Sequence, residues 1–191
     1  KIGIACRFAE PSAKAEEIEA LIDENTRFVF VETIANPAMN IPNFELISKI
    51  CKKHKLLLVV DNTLATPVIF KPFDFGANIV IYSSTKCLDG HACALGGIVV
   101  DGGNFEYLNN QRYKDFNEAD ESYHGMVYAR DCKNSAFIIK ARVQNMRDIG
   151  AMMSPQNAFL THMGIETLRL RMARHSENAL KVAQLLENNE A

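Results

Sequence analysis

"LLLVVD", residues 56–61, is apolar at odd and even positions alike and ends on a carboxylate. Successive side chains of a strand point to opposite faces, so an unbroken apolar run is a strand buried on both sides. Strands of that kind belong to parallel sheets covered by helices on both faces. "RFVFVET" (27–33) and "NIVIYS" (78–83) have the same character. Between the first two runs, "NFELISKICKKHK" (43–55) places Phe44, Ile47 and Ile50 at helical intervals, behind Asn43 as an N-cap. The expectation is an α/β domain with a mostly parallel sheet and flanking helices.

Working outward, "KIGIACRF" (1–8) predicts another strand, and "AKAEEIEALID" (13–23) another helix through Ile18, Leu21 and Ile22. "LGGIVVD" (95–101) follows "NIVIYS" closely, which leaves room for an antiparallel strand. Residues 102–124, rich in Asn, Asp, Glu and Tyr, predict a helix fragment within a long excursion, and such excursions are often functional. The chain then turns helical. "AFIIKARVQNMRDIGA" (136–151) reads as one helix, and Ser154–Pro155 opens a short one that Gly164 is expected to end. A longer helix runs from Ile165 to the end. Its stripe of Leu168, Met172, His175, Ala179, Val182 and Leu186 predicts packing on its own domain, with His175 in a core or an interface.

Composition excludes several function classes. The 191 residues are 48% hydrophobic and 23% charged, with a net charge of −2, so no electrostatic argument favours nucleic acid or an anionic membrane. No run approaches the roughly 20 apolar residues of a membrane span, and no signal peptide is evident. The five scattered cysteines suit free thiols in a reducing cytoplasm better than a disulfide framework. Cys87, His91 and Cys93 lack a second ligand pair, so no metal site is expected. The chain starts at Lys1 in a strand pattern and stops in a helical one, as a piece of a longer protein would.

Ligands of open α/β sheets collect beyond the carboxyl ends of the strands. Asn36, Asp61 and Lys86 all fall at such ends, and the intervals 36 to 61 and 61 to 86 are equal, 25 residues each. That is about one βα unit, so an amide, a carboxylate and an amine are expected on one rim of the sheet. Ser83 and Thr85 add hydroxyls next to Lys86. Pyridoxal phosphate (PLP) chemistry requires these groups. An amine forms an imine with the aldehyde, a carboxylate keeps the pyridine nitrogen protonated, and hydroxyls with backbone N–H groups bind the phosphate. Lys86 fits the first role if its amine is partly desolvated. Each residue also has a plainer use: Asp61 in a turn or cap, Asn36 in an Asn–Pro turn, Ser83 and Thr85 as local caps, Lys86 as a solvated charge.

"ETIANP" (32–37), "VVDNTLATP" (59–67), "SSTKCLDGHACALGGIVVDGG" (83–103), "SYHG" (122–125), "RDIGAMMSPQNAFL" (147–160) and "GIETLRLRMARHSENALKVA" (164–183) resemble, in order, the PLP-dependent enzymes of Cys/Met metabolism. The resemblance implies the aspartate-aminotransferase type of fold (fold type I), with residues 1–165 as the second half of the PLP-binding domain and 166–191 as a linker helix entering a C-terminal domain. It implies PLP bound at Lys86, with Asp61 on the pyridinium nitrogen, Asn36 on the 3-hydroxyl, and Ser83 and Thr85 on the phosphate. Arg147–Asp148 would lie near the active-site entrance. Ile34, where the lyases carry proline, and the long excursion ending in "SYHG" resemble the sulfhydrylase branch. The implied reaction is γ-replacement on O-acetylhomoserine by sulfide or a small thiol, in a cytoplasmic homotetramer built from dimers that share active sites. A γ-lyase or cystathionine γ-synthase of the same family, and a non-catalytic domain keeping the fold, are the alternatives. The ring-stacking tyrosine and the arginine for the substrate carboxylate would lie outside these residues, leaving the isolated piece inactive.

Overall fold

The computed structural model, which describes residues 3–189, shields Leu58, Val60 and Val80 completely from solvent. They belong to strands β2 (Leu57–Asp61) and β3 (Ile79–Ser83), which with β1 (Phe28–Glu32) and β4 (Gly97–Asp101) form one sheet in the order β1-β2-β3-β4. The first three strands are parallel, with Glu32 opposite Asp61 and Asp61 opposite Ile81. β4 is antiparallel to β3 and places Gly97 opposite Ser83.

The alternation along β2 divides the core in two. Leu58 and Val60 face a cluster with Phe44, Ile47 and Cys51 of helix α2 (Phe44–His54). Leu57 and Val59 face Tyr107, Tyr113, Phe116 and Tyr128 on the other side. α2 begins where the sequence requires: the Asn43 side chain accepts from the Leu46 N–H, and Lys55 closes the helix in a left-handed conformation. The helix α1 (Ala15–Glu19) is shorter than its pattern, and α3 (Thr66–Ile69) follows β2 directly.

The excursion is not a loop laid over the surface. Phe105, Tyr107, Tyr113 and Phe116 pack ring against ring, and the Tyr113 hydroxyl donates to the Arg27 carbonyl (2.5 Å) while accepting the Leu57 N–H (3.0 Å). With helices α4 (Lys114–Asn117) and α5 (Tyr128–Asp131) this segment contributes the second layer over the sheet. A continuous helical stretch follows, made of α6 (Ala136–Lys140), a π-helical segment Ala141–Met146 and α7 (Arg147–Ile149).

Three expectations fail. Residues 3–8 form no strand; Ile4 and Phe8 are exposed, and no strand lies beside them among the described residues. Residues 1 and 2 lie outside the described residues. Helix α8 (Pro155–Glu166) does open on the Ser154 cap, but it passes through Gly164 and ends at Thr167. Gly164 serves close approach instead of termination, since a Cβ there would fall on the Asp89 carbonyl oxygen. Helix α9 (Leu168–Glu187) buries Leu168 and Met172, whereas His175, Val182 and Leu186 are exposed, so only the start of the stripe packs. Among the described residues no helix is long and apolar enough to cross a membrane.

Leu58→Ala removes a side chain that the sheet and α2 enclose from both sides. Denaturant unfolding should show a loss of about 3 kcal/mol, where a solvent-facing leucine such as Leu170 would lose little.

Candidate functional site

The three parallel strands end at one rim, and backbone hydrogen bonds tie their ends together. The Thr33 N–H donates to the Asp61 carbonyl (2.9 Å), and the Asn62 N–H to the Ile81 carbonyl (3.0 Å). Asp61 closes β2 half-buried, and its Oδ1 accepts the Thr63 N–H (2.9 Å), an Asx turn that fixes the carboxylate at the strand end. Thr63 Oγ1 accepts the Ser83 N–H (2.8 Å) and so links the loop after β2 to the end of β3.

Lys86 sits in the π-helical turn Ser84–Leu88 that leaves β3, and its φ of −86° and ψ of −120° break the turn at that residue. Gly96, just ahead of β4, holds the turn from the other side. Its carbonyl accepts the Ser84 N–H (3.0 Å) and the Thr85 hydroxyl (3.3 Å), and its N–H donates to Thr85 Oγ1 (3.1 Å). Asn36, four residues beyond β1, is exposed, with its N–H donating to Glu32 Oε2 (2.9 Å). Asp61, Ser83 and Thr85 are therefore joined through Thr63 and Gly96, and Lys86 and Asn36 lie at the same strand ends. The desolvation expected of Lys86 is absent: its side chain is exposed. Arg147 pairs with its neighbour Asp148 (2.8 Å) and lies over the Tyr123 ring, which anchors it to the excursion.

Three residues beside the rim carry no sequence signal strong enough to single them out. Asn62 is completely buried; its Oδ1 accepts the Thr33 hydroxyl (2.7 Å), and its amide donates to the carbonyls of Thr66 (3.1 Å) and Phe70 (2.9 Å) and to the Tyr82 hydroxyl (3.3 Å). Its only clue is position, because the residue after a rim-facing Asp61 must face the core. The amide also braces Thr66, a β-branched residue held at φ +59°. Ser84 is buried, and its Oγ has no partner among the described residues. Asp89 is buried as well. Desolvation pushes its carboxyl up, but hydrogen bonds from the backbone N–H groups of Cys93 and His91 and from the Cys93 thiol, with the nearby His91 ring, together outweigh it and leave the carboxyl below the ordinary range.

These groups fit a phosphorylated aldehyde cofactor. The rim offers an exposed amine, a carboxylate with one oxygen committed to a backbone N–H, and a buried hydroxyl without a partner among the described residues. A Cβ at Gly96 would strike Ser84 Oγ and Met153, so the missing side chain lets both lie against the turn. A separate cleft of about 680 Å³, lined by Lys52, Lys55, Asn78 and Asn104, opens at the amino ends of β2 and β3. None of the sequence-predicted site residues lines it.

The family model described as "Cys/Met metabolism PLP-dependent enzyme" matches residues 1–191. The chain is 42% identical over 191 residues to a homocysteine/cysteine synthase of Saccharomyces cerevisiae, across 99% of this chain and 43% of that protein. It is also 42% identical to the O-acetyl-L-homoserine sulfhydrylase of Leptospira meyeri, across 99% and 44%. The fold superposes with a TM-score of 0.86 on a Campylobacter jejuni protein assigned as an O-acetylhomoserine (thiol)-lyase, at 38% identity, covering 93% of this chain and 44% of that one. That crystal structure carries N′-pyridoxyl-lysine-5′-monophosphate. The chain thus spans less than half the length of the relatives it matches.

Asn62→Leu keeps the volume of the side chain but removes the hydrogen bonds that Asn62 gives to the Thr66 and Phe70 carbonyls and accepts from the Thr33 hydroxyl. The expected result is a loss of roughly 3 kcal/mol in urea unfolding, and Asn62→Asp, which sets a carboxylate against the Thr66 and Phe70 carbonyls, should cost at least as much at neutral pH.

Proposed function

The chain belongs to the Cys/Met metabolism PLP-dependent enzymes, and on that footing we propose that the whole protein replaces the γ-acetoxy group of O-acetyl-L-homoserine with sulfide or a small thiol. The products are homocysteine, or its thioether, and acetate. One observation carries this reading: Lys86 and Asp61 lie at the ends of adjacent parallel strands, in a chain about 40% identical along its length to sulfhydrylases and homocysteine synthases.

In this reading Lys86 would hold the cofactor through its aldehyde carbon, Asp61 would accept the ring N–H, and Asn36 would hydrogen-bond the 3-hydroxyl. Ser83 and Thr85 bind the phosphate, which requires the Thr85 hydroxyl to turn from Gly96. When bound, PLP supplies an electron sink for negative charge at the substrate α-carbon. With the cofactor bound, Nζ of Lys86 would take the proton from the substrate α-carbon. One flexible amine also reaches the adjacent β-carbon, whose proton must leave before the γ-substituent departs. The carboxylate of Asp61, fixed by the Thr63 N–H, keeps the ring nitrogen protonated throughout.

We assign residues 1–165 to the second half of the cofactor-binding domain and 166–191 to the helix leading into a C-terminal domain. The holoenzyme is proposed as a cytoplasmic homotetramer of dimers with shared active sites. The names of the relatives support the sulfhydrylase reading over the γ-lyases.

Full-length protein supplied with O-acetylhomoserine and sulfide should release homocysteine and acetate. Keto acid and ammonia without homocysteine would defeat the assignment. Lys86→Ala should cut the rate at least about 1,000-fold, and Asp61→Asn about 100-fold, with binding of the substrate less affected.

A further inference from the structure

Arg171 lies on α9, far along the sequence from the rim, yet every nitrogen of its guanidinium is engaged beside Lys86. Nη1 donates to the Cys87 carbonyl (2.8 Å), and Nη2 to the carbonyls of Leu88 (3.3 Å) and Gly164 (2.6 Å). Nε donates to the Thr167 hydroxyl (3.1 Å), which itself donates to the Gly164 carbonyl (3.3 Å). Cys87 and Leu88 are the two residues that follow Lys86 in its turn. The last carbonyls of any short helical turn lack intrahelical partners, and a planar cation with donors in a fixed fork is well suited to take two of them together.

The surroundings are shaped for this contact. A Cβ at Gly90 would strike the guanidinium, and one at Gly164 would strike the Asp89 carbonyl, so two glycines let α8 and α9 close on the turn. Beside the polar clamp, Leu88 packs against Leu168 and Met172, the two buried residues of α9. The far half of the turn is thus held by Arg171 and this apolar trio, and the near half by Gly96 through Ser84 and Thr85. Lys86 is the residue between the two anchorages, and it is where the backbone leaves helical geometry.

We propose that Arg171 is a positioning residue for Lys86: by gripping the carbonyls of Cys87 and Leu88 it sets the orientation from which the lysine amine projects onto the rim. The inference rests on the reading of Lys86 as the cofactor lysine. It adds that the helix leading away from the cofactor-binding half determines how firmly that lysine is held.

The test uses the full-length protein and its Arg171→Lys and Arg171→Met variants. Lysine retains the charge and a single donor group, so it should fold and hold the turn in part. Borohydride reduction followed by peptide mass analysis first locates the pyridoxyl group; a label on another lysine refutes the reading of Lys86, whatever the variants do. Hydrogen exchange on the cofactor-free protein then reports the turn itself, through the amides of Asp89 and Gly90, which donate to Ser84 and Lys86 carbonyls. Exchange there should quicken roughly tenfold in Arg171→Met and less in Arg171→Lys, while amides of β2 stay protected. In the holoenzyme the visible circular dichroism per unit of cofactor absorbance should fall in the same order, and kcat should fall more than KM rises. Unchanged exchange at Asp89 and Gly90 in Arg171→Lys, with unchanged visible dichroism and the label still on Lys86, would overturn the positioning role while leaving Lys86 in place. If Arg171→Met does not fold, Thr167→Val, which removes the partner of Nε and the hydroxyl's own bond to the Gly164 carbonyl, replaces it under the same readouts and the same criterion.

Discussion

Everything in this chain hangs on β2 being buried on both faces. Leu57 and Val59 meet an aromatic layer, Leu58 and Val60 meet α2, and the strand pairs in parallel with a neighbour on each side. A strand so enclosed cannot slide, because a one-residue shift would exchange the two faces throughout. That immobility is what makes its last residue useful. Asp61 stands at a fixed height over the sheet, and the ladder carries the same height across to Thr33 and Ile81. Chemistry that needs a carboxylate and an amine in one plane begins from this alignment.

Around that alignment the rim is stitched by short polar links instead of by regular structure. Thr63 joins the Asp61 turn to Ser83, Gly96 joins β4 to the Lys86 turn, and Asn62 ties β1, β3 and α3 from below. Each link uses a hydroxyl, an amide or a bare backbone, groups small enough to leave space above the strand ends. The unpartnered Ser84 hydroxyl and the left-handed Thr66 are local departures from good satisfaction and good geometry, and such departures gather at functional sites.

The strands and the rim were legible because they rest on local pattern. Continuous apolar runs identify β1, β2 and β3, and equal spacing carries Asn36, Asp61 and Lys86 to the same ends of consecutive units. What escaped the sequence depends on distant partners. Ile4 and Phe8 have strand-like chemistry, but pairing decides a strand, and no strand lies beside them among the described residues. Gly164 looks like a helix stop until Asp89, 75 positions earlier, is seen against it. Tyr107, Tyr113 and Phe116 sit in a polar-looking excursion, and only the bare face of β2 explains why they turn inward. The stripe on α9 is right in period and wrong in extent, since periodicity cannot report how much of a helix meets a partner.

The adjacency of Asp61 and Asn62 has a consequence for how this domain avoids folding wrongly. Asp61 ends β2 and Asn62 is the next residue; the two differ by one side-chain charge, and their side chains go to different places, the rim and the interior. In the native register the amide fills a sealed, fully hydrogen-bonded position and the carboxylate reaches the rim. A sheet closed one residue out of step in the direction that brings Asp61 to that place would drive a carboxylate into the sealed position and strand the amide outside. Burying an unpaired charge is far costlier than misplacing an amide. The acid at the rim therefore disfavours that misregistered sheet at the strand end where the site residues gather.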